Sequence, residues 1–104
     1  MKRTPRIMVV DDAKINRQIL MAILGDEYEY VEAEDGRQAI HMLQQDLNID
    51  LMLLDINMPE MNGFQVLERM NKFQWIKEIP VLMISSEEKR DTIERAYIFG
   101  AQDY

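Results

Sequence analysis

Four short apolar runs, separated by longer stretches with helical spacing, constrain this chain more than any other feature. The runs are Ile7-Met8-Val9-Val10, Tyr28 to Ala33, Leu51-Met52-Leu53-Leu54 and Val81-Leu82-Met83-Ile84. Three of them are apolar without interruption, as in strands covered on both faces. Tyr28 to Ala33 is broken by Glu29 and Glu32 and reads as an edge strand. In the first intervening helix Ile15, Ile19, Ala22 and Ile23 are predicted to form the inner stripe, with Gly25 at the C-terminal cap. The second has Ala39, Ile40, Leu43 and Leu47, with Asp35 capping and Gln38 three residues on. A third is predicted from the Asn62 cap, with Val66, Leu67, Met70 and Phe73 facing inward. A fourth would run from Ser86 to Gly100, with Ile93, Ala96 and Tyr97 inside. Strands joined through helices run parallel, with right-handed crossovers, because a parallel pair cannot be closed by a tight turn. The expectation is an α/β fold with a doubly wound parallel sheet, in one domain over residues 1–104, since no repeat or linker interrupts the pattern.

Composition narrows the function classes. With 104 residues and 47% hydrophobic side chains, the chain can bury one core but has no room for a second substrate lobe. A formal net charge of -7 disfavours nucleic-acid backbones and anionic membranes and suits a cation or a basic partner. Without cysteine there is neither a disulfide framework nor a thiolate metal site. The basic start, Met1 to Arg6, precedes only four apolar residues before an acidic pair, so it makes no signal peptide. The other apolar stretches are too short to span a bilayer. The expected setting is cytoplasmic.

In doubly wound sheets the working site lies beyond the carboxyl ends of the strands. Here the first strand ends in Asp11-Asp12, the third in Asp55 and the fourth in Ser85-Ser86. If the first and third strands are neighbours, three carboxylates converge, which is unfavourable unless protons or a cation neutralise them. Oxygen-only ligands select a hard cation, and few carboxylates plus water suit Mg²⁺. The plainer alternative is an acidic pair that caps the next helix and an Asp55 that opens a turn. The segment Asp55-Ile56-Asn57-Met58-Pro59-Glu60-Met61-Asn62-Gly63 is more than a generic turn. Pro59 pushes Met58 away from helical geometry, Gly63 permits close packing, and the loop can point a backbone carbonyl, that of Asn57, at the cation. His41 has no partner of ligating type nearby and reads as structural or exposed. Met8, Met52, Met70 and Met83 read as core, with Met58 and Met61 flanking the site.

These residues together resemble the receiver domain of two-component response regulators. The acidic pair Asp11-Asp12, the loop Asp55 to Gly63, the strand Ile79-Pro80-Val81-Leu82-Met83-Ile84-Ser85 and the segment Gly100-Ala101-Gln102-Asp103-Tyr104 carry the resemblance, which runs from about Arg6 to Tyr104. It implies the flavodoxin-like receiver fold, with strand order 2-1-3-4 here and the fifth strand and fifth helix missing or supplied by another copy. It further implies a switch rather than a turnover enzyme, in which Asp55 accepts a phosphoryl group from a histidine kinase or phosphotransfer protein. Mg²⁺ would be held by Asp11, Asp12, Asp55 and the Asn57 carbonyl. Ser85 would donate its hydroxyl to the phosphoryl group, Asn57 and Glu87 would tune hydrolysis, and Tyr104 would be the switch aromatic. Output would pass to an effector domain beyond Tyr104 or to a separate protein.

One departure from the family pattern concerns the Lys that follows the switch aromatic, whose place neither Lys14 nor Lys89 fills. The expectation is therefore a receiver cut short, with an open fourth-strand edge through which copies self-associate or exchange elements. A pseudo-receiver that is never phosphorylated is the alternative. A haloacid-dehalogenase-type hydrolase would want a second Asp in place of Asn57, and a flavodoxin-type flavin binder would suffer from Asp11-Asp12 beside its phosphate.

Overall fold

The computed structural model describes residues 3–46 and 48–84, together with the backbone of 96–99. Strands β1 (Arg6–Val10), β2 (Glu29–Ala33), β3 (Leu51–Asp55) and β4 (Val81–Ile84) alternate with helices α1 (Lys14–Leu24), α2 (Gly36–Gln45) and α3 (Gly63–Lys72). A short 3-10 turn at Trp75–Lys77 leads into β4, and a last strand, β5, spans Ala96–Phe99. The parallel part of the sheet has the order β2-β1-β3-β4, as the resemblance implies. None of the described helices is long and apolar enough to cross a membrane.

Alternation along the strands divides the interior in two. Met8, Val10, Met52, Leu54, Val81 and Met83 point to one face, where Ala39, Ile40 and Leu43 of α2 and Val66 and Met70 of α3 cover them. Ile7, Val9 and Leu53 point to the other face, under Leu20, Met21 and Leu24 of α1. The methionines expected in the core, Met8, Met52, Met70 and Met83, are at most 1% exposed. Asp35 caps α2 by accepting the Gln38 N–H at 2.8 Å. Asn62 and Gln65 form a reciprocal capping box at the start of α3.

Three sequence expectations need correction. Ile15, Ile19 and Ile23 do not face the sheet; they are 60%, 50% and 74% exposed, and Ala22 is exposed beside them. Helix α1 carries two stripes of acceptable spacing, and the inner one is Arg17, Leu20, Met21 and Leu24. The polar contacts of Arg17 on this inner stripe are described below. Phe73 is 44% exposed rather than inward, because it is the C-cap of α3 and stacks on Trp75 at 4.9 Å as Gln74 turns the chain with φ 67°.

The third correction concerns Ala96 and Tyr97. They belong not to a fourth helix but to β5, which pairs antiparallel with β4 in the register Ile84↔Ala96 to Val81↔Phe99. Ala-Tyr-Ile-Phe has as much strand as helix character, and the unpaired backbone groups of an apolar edge strand decide between them. The edge of β4 is thereby occupied by this chain, which removes the open edge from which self-association was expected. Leu47, Ser86, Ile93 and Gly100 lie outside the described residues.

Candidate metal and phosphoryl site

Parallel pairing of β1 with β3 brings their carboxyl ends side by side. Val10 is in register with Leu54, so Asp11 and Asp12 leave the sheet next to Asp55, the last residue of β3. One carboxylate oxygen from each of Asp11, Asp12 and Asp55 lies within 4.8 Å of the other two. The floor of this crevice is buried, with Asp11 and Asp55 4% and 3% exposed, while Asp12 stands at the exposed rim.

Each wall is built by local backbone geometry. The Asp11 N–H bonds the Ala33 carbonyl of β2, and its Oδ1 accepts the Ala13 N–H at 2.9 Å. The Asn16 amide lies 3.4 Å from the same oxygen. The pair does not cap α1: the N-cap is Ala13, with no side-chain hydrogen bond. On the other wall, Asp55 Oδ1 accepts the exposed Asn57 N–H at 3.2 Å. The Gly63 N–H closes the loop onto the Ile56 carbonyl at 2.8 Å, and Glu60 adopts φ 67° within it. Gly63 is required for close approach, since a Cβ there would lie 2.5 Å from the Asp55 carbonyl oxygen.

Burial raises the Asp11 pKa from its ordinary value of 3.8. Hydrogen bonds from Ala13 and Asn16 oppose this, the Asp12 charge adds to it, and the Arg17 charge opposes it. A carboxylate whose charge is penalised by desolvation and by a like neighbour is one that a cation would relieve. The donor set fits Mg²⁺: all oxygen, carboxylate-rich, buried at Asp11 and Asp55 and exposed at Asp12. The exposed His41 ring is 3.2 Å from Gln45 and away from the crevice. A groove of about 450 Å³, lined by Arg37, Glu60, Met61, Gln65, Glu68 and Arg69, lies beside the loop and includes none of the three clustered carboxylates.

Among the residues singled out from the sequence, Asp11, Asp12 and Asp55 come together, and Asn57 is bonded to Asp55. Ser85, Glu87, Lys89 and Tyr104 lie outside the described residues. Arg17 and Glu32 escaped the sequence reading. Arg17 is 7% exposed, bonds the Asp11 carbonyl through Nη1 at 2.7 Å, and bonds Glu32 Oε1 through Nε at 2.7 Å. The one signal that could have revealed it is a cation placed where α1 alternates Arg17 with Leu20 and Leu24.

Comparison with known proteins agrees with this architecture. The model of the response regulator receiver domain matches residues 7–104. The chain belongs to the response-regulator receiver family. Among curated relatives, the two-component response regulator ORR3 of Oryza sativa subsp. indica is 34% identical over 101 residues, covering 96% of this receiver and 77% of that protein. Among solved structures, chemotaxis protein CheY4 of Vibrio cholerae is 32% identical with a TM-score of 0.73, over 83% of this receiver and 72% of that chain. Response regulator protein TrrA of Thermotoga maritima, solved in complex with Mg²⁺-BeF, is also 32% identical, with a TM-score of 0.71 over 82% of this receiver and 72% of that chain.

Proposed function

We propose that this receiver is a phosphorylation-dependent signalling switch in which Asp55 accepts a phosphoryl group from a histidine kinase or phosphotransfer protein. The observation that carries the reading is the meeting of Asp11, Asp12 and Asp55 oxygens within 4.8 Å at the ends of two paired strands. A carboxylate is a competent nucleophile toward phosphorus, and the obstacle is repulsion between anions. Bound Mg²⁺ supplies positive charge against that repulsion, and Asp11, Asp12, Asp55 and the Asn57 backbone carbonyl are the groups that would hold it.

One Asp55 oxygen attacks the phosphorus of the donor's phosphohistidine. The new bond is P–O, the P–N bond breaks, and its electron pair leaves with the imidazole, which takes up a proton. Asp55 is buried, and its neighbours Asp12 and Asn57 are exposed. Asn57, two residues after the nucleophile, is assigned on the family pattern to orient the water that later hydrolyses the phosphoryl group from Asp55. Glu87 has the partner role in that hydrolysis, Ser85 donates its hydroxyl to the phosphoryl oxygen, and Tyr104 responds to it; these three assignments rest on the family pattern. The assembled cluster gives no support to a pseudo-receiver.

Intact-mass analysis after incubation with Mg²⁺ and acetyl phosphate tests the reading. Wild type is expected to gain one phosphoryl group, and Asp55→Asn or wild type with EDTA none. A wild-type chain that stays unmodified, or an Asp55→Asn chain that is modified equally, defeats the proposal.

A further inference from the structure

We infer that Arg17 is a positioning residue that aims the acidic pair at its cation, with Glu32 of β2 holding Arg17 in place. The inference rests on the Mg²⁺ reading above. It begins with a placement: a guanidinium, 7% exposed, beside a cluster of carboxylates, donates from Nη1 to a backbone oxygen. That oxygen is the Asp11 carbonyl, 2.7 Å away, and it belongs to the peptide unit joining Asp11 to Asp12. A peptide unit is planar, so fixing its carbonyl fixes the directions in which both flanking chains leave it.

Asp11 has other restraints. Its N–H is tied to Ala33 and its Oδ1 to Ala13. Among the described residues, no hydrogen bond reaches the Asp12 side chain, whose aim therefore depends on its backbone. Arg17 is the side chain that grips that backbone. Its charge alone would repel a cation, and Glu32 answers this by accepting Nε–H at 2.7 Å and supplying the countercharge. The pair thus acts as a clamp with little net charge, tying the metal-side peptide to the edge strand. Groups of this kind, which hold ligands without touching the metal, typically change affinity by about 10- to 100-fold when removed.

Coulomb attraction and positioning predict opposite results, which makes the test sharp. Arg17→Met removes a positive charge and leaves Glu32 negative, so electrostatics alone would tighten Mg²⁺ binding. Positioning predicts that binding weakens by about tenfold or more. Arg17→Lys keeps the charge but cannot make both bonds in the same geometry, and is expected to fall between wild type and Arg17→Met. Mg²⁺ titrations of the full chain, followed by backbone amide NMR, read the affinity of the folded molecules, and melting in EDTA reads stability separately. Lower stability with unchanged affinity in both variants means a structural role only and overturns the inference, as does tighter binding. If Arg17→Met does not fold, Arg17→Lys decides by the same criterion. If the wild-type amides of Asp12, Asp55 and Asn57 do not respond to Mg²⁺, the metal reading itself fails and takes this inference with it.

Discussion

A methyl group added at position 63 would sit 2.5 Å from the Asp55 carbonyl oxygen and 2.9 Å from the Ile56 Cα, both backbone atoms that cannot swing aside. Gly63→Ala is therefore expected to destabilise the fold by about 1–3 kcal/mol, as overpacking does, read as a lower urea midpoint. The nearer of the atoms it displaces belongs to Asp55, the proposed phosphoacceptor, so phosphoryl acceptance from acetyl phosphate should fall further than the loss of folded protein explains. Equal loss of both would mean that the loop merely packs. At this scale the sequence was informative where chemistry restricts the choice of residue. Asp11, Asp12 and Asp55 were readable because three carboxylates at strand ends are hard to explain as solvation. Arg17 and Glu32 were not, because hydropathy places a cation on the outer face of a helix and cannot foresee a carbonyl waiting for it inside.

Helix α1 shows how an element can be recognised and still be turned the wrong way. Ile15, Ile19 and Ile23 have the more regular apolar spacing, yet the sheet receives Leu20, Met21 and Leu24. The buried stripe is the one that includes Arg17, which bonds Asp11 and Glu32. Ile23→Gln should accordingly change stability by no more than about 0.5 kcal/mol. Leu24→Gln, one position on, should lose roughly 1 kcal/mol or more from a partly buried side chain. Denaturant titration of the two variants checks the rotation, and the reverse ranking would refute it. The caps at Asp35 and Asn62 were legible because their partners, Gln38 and Gln65, follow within one turn. Residues 96–99 were not, because Ala-Tyr-Ile-Phe satisfies either period and a distant strand edge selects one.

For the whole molecule, pH acts on stability through two carboxylates whose pKa values shift in opposite directions. Hydrogen bonds from the Arg3 side chain and the Arg6 backbone hold the Asp50 pKa below its ordinary 3.8. Its contribution is therefore present above about pH 4 and is lost as pH falls from there through the lowered folded value. Asp11, raised by burial, behaves inversely: its charged form opposes folding, and the penalty grows as pH rises above 3.8 through the raised value. In EDTA, Asp50→Asn should flatten the acid limb of a stability–pH profile. Asp11→Asn should make the chain more stable at neutral pH. Superimposable profiles for both variants and wild type would exclude this assignment.

The methionine lining beneath the carboxylate crevice gives the receiver an internal clock. Met8, Met52, Met70 and Met83 are at most 1% exposed, so a dissolved oxidant meets their sulfur atoms only when the chain opens. Each thioether converted to a sulfoxide then introduces a polar group into a space shaped for an apolar one. Peroxide damage at these four positions records the fraction of time spent open, and Mg²⁺ bound as proposed would stabilise the closed form and slow it in proportion to site occupancy. Occupancy of the acidic crevice would thus be written, after the fact, in the oxidation state of the core below it.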